Sequence, residues 1–526
     1  MKKNIIRILI TIIMGVLLFY VTLPALNFHS MGFWGYLFTV FLIFLATGTI
    51  DFHINNRIQI NKKSFYLIGI LGSIFLVLLI INIINSPLLN AKSYYKRITI
   101  NEKNIFLEDI KEVNFDSLPL LDKDSSIKLG DRVMGQMKDL VSQFEVSQVY
   151  TQINYNNEII RVTPLEYANS LKWFTNHKDG TKGYIKVNSV TGKSELVKLE
   201  NGMKYMPSAL FNENLTRYLR FKYPTAIFDT ANFELDNEGN PYWIVPTIKY
   251  IGIGLKPEID SVIIVNPING KTEKYSVGEV PTWVDHVYSP ELIIEQVDNW
   301  GMYKNGFFNS IFSQKEVVAT TDGYNYLLMN DDVYLYTGIT SVNNDESNLG
   351  FILTNMRTKE TNFYEVPGAE EYSAMDSAEG AVQQMKYTAT FPLLINLNNK
   401  PTYLMSLKDY AGLVKMYAFV DVTDYQKVVV TDSSKGIKKA AENYLANNNI
   451  TIDTATLKTK TITIKDINSY VIDSNTYFYL LDDIGKKYKI SLKTDENLPF
   501  IKKGNKLKIG YIIENNITEI SKIFYD

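Results

Sequence analysis

No cysteine occurs among the 526 residues. That removes disulfide scaffolds, thiol nucleophiles, iron–sulfur clusters and every zinc site built on thiolates. Histidine is nearly as scarce, with four in the whole chain, so imidazole catalysis and His-rich metal sites are thinly supplied. Neither sign of charge prevails: 54 Lys and Arg stand against 56 Asp and Glu, which argues against the broad basic field of a general nucleic-acid binder. Nucleophile elbows, phosphate-binding loops and dinucleotide glycine patterns are missing from any supporting strand–turn–helix context. Gly252-Ile-Gly254 follows strand-like residues but opens no helix.

What the chain does have is apolar and aromatic side chains, 46% hydrophobic residues with 35 Tyr and 27 Phe, enough for several folded domains. Uncharged apolar runs cover residues 8–26, 33–50 and 65–84. Each is close to the ~20 residues that cross a hydrocarbon core as a helix, and unbroken apolar runs suit lipid better than a soluble core, where helices keep a polar face. A cleaved signal peptide competes for the first run, with Lys2, Lys3 and Arg7 as its basic region. The run exceeds the ~7–15 residues of a signal core, and the small-residue cleavage pattern is poor around Thr22-Leu-Pro-Ala-Leu-Asn. Basic residues stay cytoplasmic in short loops. Lys2, Lys3 and Arg7 precede the first run, Arg57, Lys62 and Lys63 separate the second from the third, and Asn27-Phe-His-Ser between the first two carries none. The expected topology is an N-terminus inside and everything after Ser86 outside, with His29 and His53 as interfacial polar residues.

After Pro87 the chain turns to short β-rich runs. Residues 87–128 carry few periodic signals and are expected to form a stalk. A phrase then repeats: Val187-Asn-Ser-Val-Thr-Gly-Lys-Ser-Glu, Val265-Asn-Pro-Ile-Asn-Gly-Lys-Thr-Glu, and more weakly Thr354-Asn-Met-Arg-Thr-Lys-Glu and Val420-Asp-Val-Thr-Asp-Tyr-Gln-Lys. Asn188, Asn266, Asn355 and Asp421 are placed to cap backbone groups two residues on, and Gly192 and Gly270 to supply positive φ. Ser261-Val-Ile-Ile-Val and Tyr417-Ala-Phe-Val read as mostly buried strands. A hairpin pattern also recurs, Pro241 and Trp243 in one copy matching Pro401 and Tyr403 in the other. Its turn, Asp236-Asn-Glu-Gly-Asn, lacks calcium-loop spacing and reads as a turn. Helices are expected at 208–223, 289–300 (Ser289 at the N-cap, Pro290 first, Gly301 past the end) and 372–387.

The order of helix, proline, aromatic strand, D-x-x-G hairpin and V-N-x-x-x-G-K turn resembles the PepSY domain, an extracytoplasmic module of bacterial cell-envelope proteins. Residues 214–277 carry the match; 375–430 form a looser copy with Tyr425 where Gly270 stands. The resemblance implies inhibiting, anchoring or sensing roles and supplies no catalytic residues. Beyond residue 450, five short strands with alternation at Leu507, Ile509, Tyr511 and Ile513 resemble the OB fold. Tyr477, Phe478, Tyr479 and Lys486 to Lys489 would suit single-stranded nucleic acid, but an extracytoplasmic barrel favours protein or glycan contacts.

The expected fold class is three N-terminal transmembrane helices, an α+β ectodomain of repeated helix and antiparallel-sheet modules, and a small C-terminal β-barrel. The expected divisions are 1–86 membrane domain, 87–128 stalk, 129–205 first module, 206–287 PepSY-like module, 288–370 third module, 371–434 second PepSY-like module, 435–450 linker helix and 451–526 barrel. No catalytic, cofactor-binding or metal-binding residue is assigned. His177 and His286 stand far apart without a metal-binding context, and the pairs Asp331-Asp332 and Glu370-Glu371 read as solvated turn residues. Trp243, Trp283 and Trp300 would suit glycan stacking but read as core. The expected protein is a non-enzymatic integral membrane protein of the cell envelope, and the excess of Lys over Arg with abundant Ile and Asn suits a low-GC Gram-positive bacterium. Its partners are the membrane and an envelope protein or wall polymer, not nucleic acid. An envelope hydrolase with carboxylates in a cleft between modules, or a sensor working through a membrane partner, are the alternatives.

Overall fold

A computed structural model describes residues 2–49, 62–342, 344–448, 458–472, 475–492, 494–511 and 517–525. The fold is mixed α/β, with several antiparallel sheets and a half-barrel. Four helices come first: α1 (Lys2–Thr22), α2 (Met31–Thr49), α3 (Lys62–Asn85) and α4 (Pro87–Tyr95). Among the described residues one helix is long and apolar enough to cross a membrane, Ile5–Thr22 within α1, and it suits an anchor or a signal sequence alike. This is fewer than the three spans expected. The apolar part of α2, Met31–Thr47, falls short of a ~30 Å core at about 1.5 Å per residue, and Gly69–Asn85 of α3 qualifies only together with α4, from which it bends by 46°. His53 and the basic loop at 51–61 lie outside the described residues. α1 packs on α2 through the Arg7 guanidinium, which sits 3.8 Å above the Phe44 ring and donates to the Phe44 carbonyl.

The strands that follow repeat one topology four times. In each copy a short strand and a hairpin strand both pair with a long strand, which then pairs onward through two more. The long strands are Glu158–Tyr167, Pro241–Lys249, Asp332–Ser341 and Pro401–Lys408. A helix precedes each sheet: Lys123–Gly135, Leu215–Lys222, Pro290–Tyr303 and Glu371–Gly380. The repeated turns are built as their residues dictate. Asn188, Asn266, Asn355 and Asp421 each accept from the backbone N–H groups two and three positions on. Gly192 and Gly270 hold φ near +73° and +74°, and Lys359 takes the same place at +64°. The fourth turn closes one residue later, Asp421 N–H on Lys427 O where Asn266 N–H meets Lys271 O. That extra residue is why Tyr425 replaces the glycine without adopting positive φ.

Two compact units divide the chain. The first comprises 1–103, 117–345 and 349–364, the second 104–116, 346–348 and 365–526. In the first unit the second sheet is buried on both faces. Alternate side chains point opposite ways along a strand, so Trp243, Val245, Ile263 and Val265 pack with Ile160, Leu165 and Ile185 of the first sheet, while Ile244, Val262 and Ile264 pack with Val333, Leu335 and Ile352 of the third. Helix Pro290–Tyr303 runs on through Gly301, which the sequence placed beyond its end. A Cβ there would lie 2.1 Å from the Val318 carbonyl oxygen, so this glycine serves a close helix–strand approach instead of a cap.

Other expected boundaries shift too. Helix 208–223 shortens to Leu215–Lys222 because the Asn214 side chain caps the Arg217 N–H, and 372–387 ends as a helix at Gly380. The expected stalk is built into the fold: Pro87–Tyr95 is α4, Ile100–Asn104 pairs with Thr361–Ala369, and Lys123–Gly135 is already the first module's helix. In the second unit the expected linker helix, Ile437–Asn447, packs on the fourth sheet, with Tyr444 5.7 Å from Phe419. The C-terminal strands form a six-stranded order from Ile517–Glu519 to Lys522–Phe524, so the expected small five-stranded barrel is a six-stranded half-barrel. One long strand, Lys458–Ile472, stands where short strands were expected. It pairs with Lys506–Tyr511 along its first half and with Asn475–Asp482 along its second.

Candidate functional site

The most unusual chemistry lies inside the first unit, where its first three sheets meet. Strand Asn232–Leu235 turns Phe233 and Leu235 toward the first core, and the pleat sends Glu234 the other way, into the protein. Its carboxylate accepts from the backbone N–H groups of Asp285 (2.8 Å) and His286 (3.0 Å). Asp285 in turn accepts from the Asn154 N–H at 2.7 Å. The His286 Nε2 lies 2.7 Å from the Gln152 carbonyl; a carbonyl only accepts, so Nε2 carries the proton. The Tyr326 ring stands edge-on to His286 at 5.5 Å. One strand further, Arg357 grips Asp332 with a two-point contact, Nε to Oδ1 at 2.9 Å and Nη2 to Oδ2 at 2.8 Å, and Asn355 adds a third donor.

Burial governs the protonation of this cluster. It pushes Glu234 up to about 7 against the pull of two backbone donors. Burial, then the Glu234 carboxylate beside it, raises Asp285 well above the usual range. The same burial lowers His286 to about 4, keeping the imidazole neutral. Glu234, Asp285 and His286 are 0%, 2% and 3% exposed. An acid pair that works on a substrate must touch it and a water molecule, whereas this arrangement ties strand Thr151–Tyr155 to strand Asn232–Leu235 and to the segment leading into helix Pro290–Tyr303.

The sequence did not single out Glu234, and it misread two partners of buried networks. Asp332 and Glu371, expected as solvated turn residues, are buried. Glu371 accepts from Asn348 in the second unit. Asp331 and Glu370 do sit at turns, Asp331 with φ +65° and Glu370 capping the Tyr372 N–H. His177 stacks on Trp173 at 4.6 Å, 3.7 Å from the Glu213 carboxylate. Trp243 is in the core with its Nε1 on the Tyr205 carbonyl; Trp300 is buried and Trp283 packs on Tyr242. Asp236 accepts from the Glu238 and Asn240 N–H groups, as a turn requires. In the half-barrel, Lys489 covers the Tyr477 ring at 3.8 Å, and Phe478 packs on the core. Among the described residues no group of three or more His, Asp or Glu side chains is arranged to hold a metal ion.

The open face of the first unit lies near the ends of the N-terminal helices. A cleft of about 510 Å³ is lined there by Asn27, His29, Lys222, Lys249, Asp260 and Lys274 among others. Around it the loop joining α1 to α2 is bonded to the second module. Arg220, 5% exposed, donates to the carbonyls of Leu23, Tyr223, Pro224 and Ala226. The Leu26 N–H reaches the Pro224 carbonyl, Asn27 the Thr225 carbonyl, and His29 Nδ1 lies 2.7 Å from the Gly252 carbonyl. Near the end of α3, Asn82 exchanges two hydrogen bonds with the Ile253 backbone.

No protein-family model matches this chain. A comparison with curated proteins gives no significant match either.

Proposed function

We propose that the chain is a membrane protein of the bacterial cell envelope, anchored through its N-terminal helices, whose extracytoplasmic modules bind an envelope protein or a wall polymer without catalysing a reaction. The observation that carries this reading is the bonding of the second module to the α1–α2 loop and to the end of α3. These contacts gather at one end of the helices, the end whose short loop lacks Lys and Arg, which the charge rule assigns to the outside. The PepSY likeness, carried by the helix, hairpin and capped turn of 214–277, favours the same compartment and a binding role. The Glu234–Asp285 pair is the feature that would favour a hydrolase, and its burial speaks for a structural clamp instead.

The test is capture. Detergent-solubilised full-length chain, immobilised and exposed to envelope extract of its own source, should retain one protein or wall polymer in amounts that saturate with extract concentration. Retention no greater than on a blank support would count against a binding role, and turnover of wall polymer by the purified chain would replace it with the hydrolase.

A further inference from the structure

We infer that residues 304–315 form a membrane-dipping loop whose apolar side enters the bilayer beside the end of α3. The proposal rests on the membrane-anchored reading above and adds a second lipid contact, made by the ectodomain itself. The segment reads Lys304-Asn-Gly-Phe-Phe-Asn-Ser-Ile-Phe-Ser-Gln-Lys315. Its apolar side chains are displayed, with Phe308 64%, Ile311 51% and Phe312 78% exposed, more apolar surface than a short turn facing water usually carries.

The polar half of the loop is satisfied internally. Asn309 donates to the Lys315 carbonyl and accepts from the Lys315 N–H, Asn305 also donates to the Lys315 carbonyl, Ser310 donates to the Phe307 carbonyl, and Ser313 donates to Asn309. Left-handed backbone at Gln314 and Glu316 closes the turn. Such a loop meets hydrocarbon with few unpaired polar groups, which is the requirement the bilayer imposes.

Its position supplies the occupant. An aromatic chain leads from the end of α3 to the loop: the Tyr94 hydroxyl donates to the Asn85 carbonyl, Tyr94 meets Tyr303 at 6.0 Å, Tyr303 meets Phe307 at 6.4 Å, and Phe308 stacks on Phe312 at 6.3 Å. The exposed face therefore begins where a membrane helix leaves the bilayer. Phe221, also exposed, marks the end of α1 in the same way, 5.9 Å from Phe19. Lys304 and Lys315 flank the aromatic segment, where their stems can lie along apolar surface and their ammonium groups reach lipid phosphates.

The absence of cysteine makes the test direct. Full-length Phe312→Cys, labelled with an environment-sensitive fluorophore, is reconstituted in phosphatidylcholine–phosphatidylglycerol vesicles with plain or bromine-bearing acyl chains, beside Val16→Cys in α1 as the span control. The label at 312 should be blue-shifted and quenched by bromine, as should that at 16. Quenching at 16 without quenching at 312 overturns the loop and leaves the anchor standing; a blue shift at 312 in that case assigns the face to a protein partner or a second copy. Quenching at neither position overturns the anchoring reading and the loop with it.

Discussion

Arg220→Ala should destabilise the first unit by roughly 2–4 kcal/mol, because four carbonyls in partly buried hydrogen bonds lose a charge-assisted donor at once. Burial lowers the Arg220 guanidinium to about 10, so it remains charged at neutral pH and each of its bonds is of the strong kind. The Leu23 carbonyl belongs to the α1–α2 loop and the other three to the turn after helix Leu215–Lys222. One side chain thus joins the two. The loss should appear as a lower melting temperature in detergent and as faster proteolysis at residues 23–30. Arg217, three residues earlier on the same helix, is half-buried, donates to the Phe211 carbonyl through an exposed bond and stands over the Tyr20 ring. Arg217→Ala should cost about 1 kcal/mol or less, as solvent-screened contacts do. Equal losses in the two variants would mean that burial of Arg220 carries no special weight.

The second large effect concerns pH. Glu234 sits at about 7 in the folded protein against an ordinary value of 4.5, so the folded state holds a proton that the unfolded chain has released. Its contribution to stability is fully present below pH 4.5 and is lost as pH rises through 7. Asp285, also raised, acts in the same direction. His286 acts in the opposite one: lowered from 6.5 to about 4, it favours the fold above pH 6.5 and opposes it as pH falls through 4. Between about pH 4.5 and 6.5 the Glu234 and His286 slopes oppose each other, and Asp285 tips the balance toward falling stability as pH rises. Glu234→Gln removes one of the two acid contributions and leaves one backbone donor facing an amide NH₂. The variant should therefore be less stable than the parent at pH 5, by roughly 1–3 kcal/mol, and should gain on it between pH 5 and 8. Melting temperatures of both proteins across that range decide the point. Parallel curves would show that Glu234 does not titrate between folding states.

How much of this was legible in the residues depends on the range of the interaction. The capped turns are local, and Asn188, Asn266, Asn355 and Asp421 announced four modules before any sheet was seen. The matching hairpins were visible in two copies because those carry Pro and an aromatic residue at equivalent places, Pro241 and Trp243 against Pro401 and Tyr403. The other two share the topology without those markers. Strand Ser261-Val-Ile-Ile-Val read as buried because its apolar run is unbroken, which is what two covered faces demand. Glu234 was invisible for the same reason: between Phe233 and Leu235 it mimics a solvent-facing residue, and only the third sheet across the way makes its side an interior. Arg220 looks like an ordinary basic residue on a helix until the α1–α2 loop is placed beside it. Asp332 and Glu371 were misread because each has a neighbouring acid that does occupy a turn. Strand Lys458–Ile472 changes partner midway, and no local pattern records such a change.

The claim on which the envelope partner depends is that the modules lie on the extracytoplasmic side of the membrane. Alkaline phosphatase, active only after export, tests it when fused in one series after Lys128 and in another at Lys62. The account predicts activity after Lys128 and silence at Lys62. Activity at Lys62 with silence after Lys128 would contradict it, place every module in the cytoplasm, and return Tyr477, Tyr479 and Lys489 of the half-barrel to consideration as a nucleic-acid face.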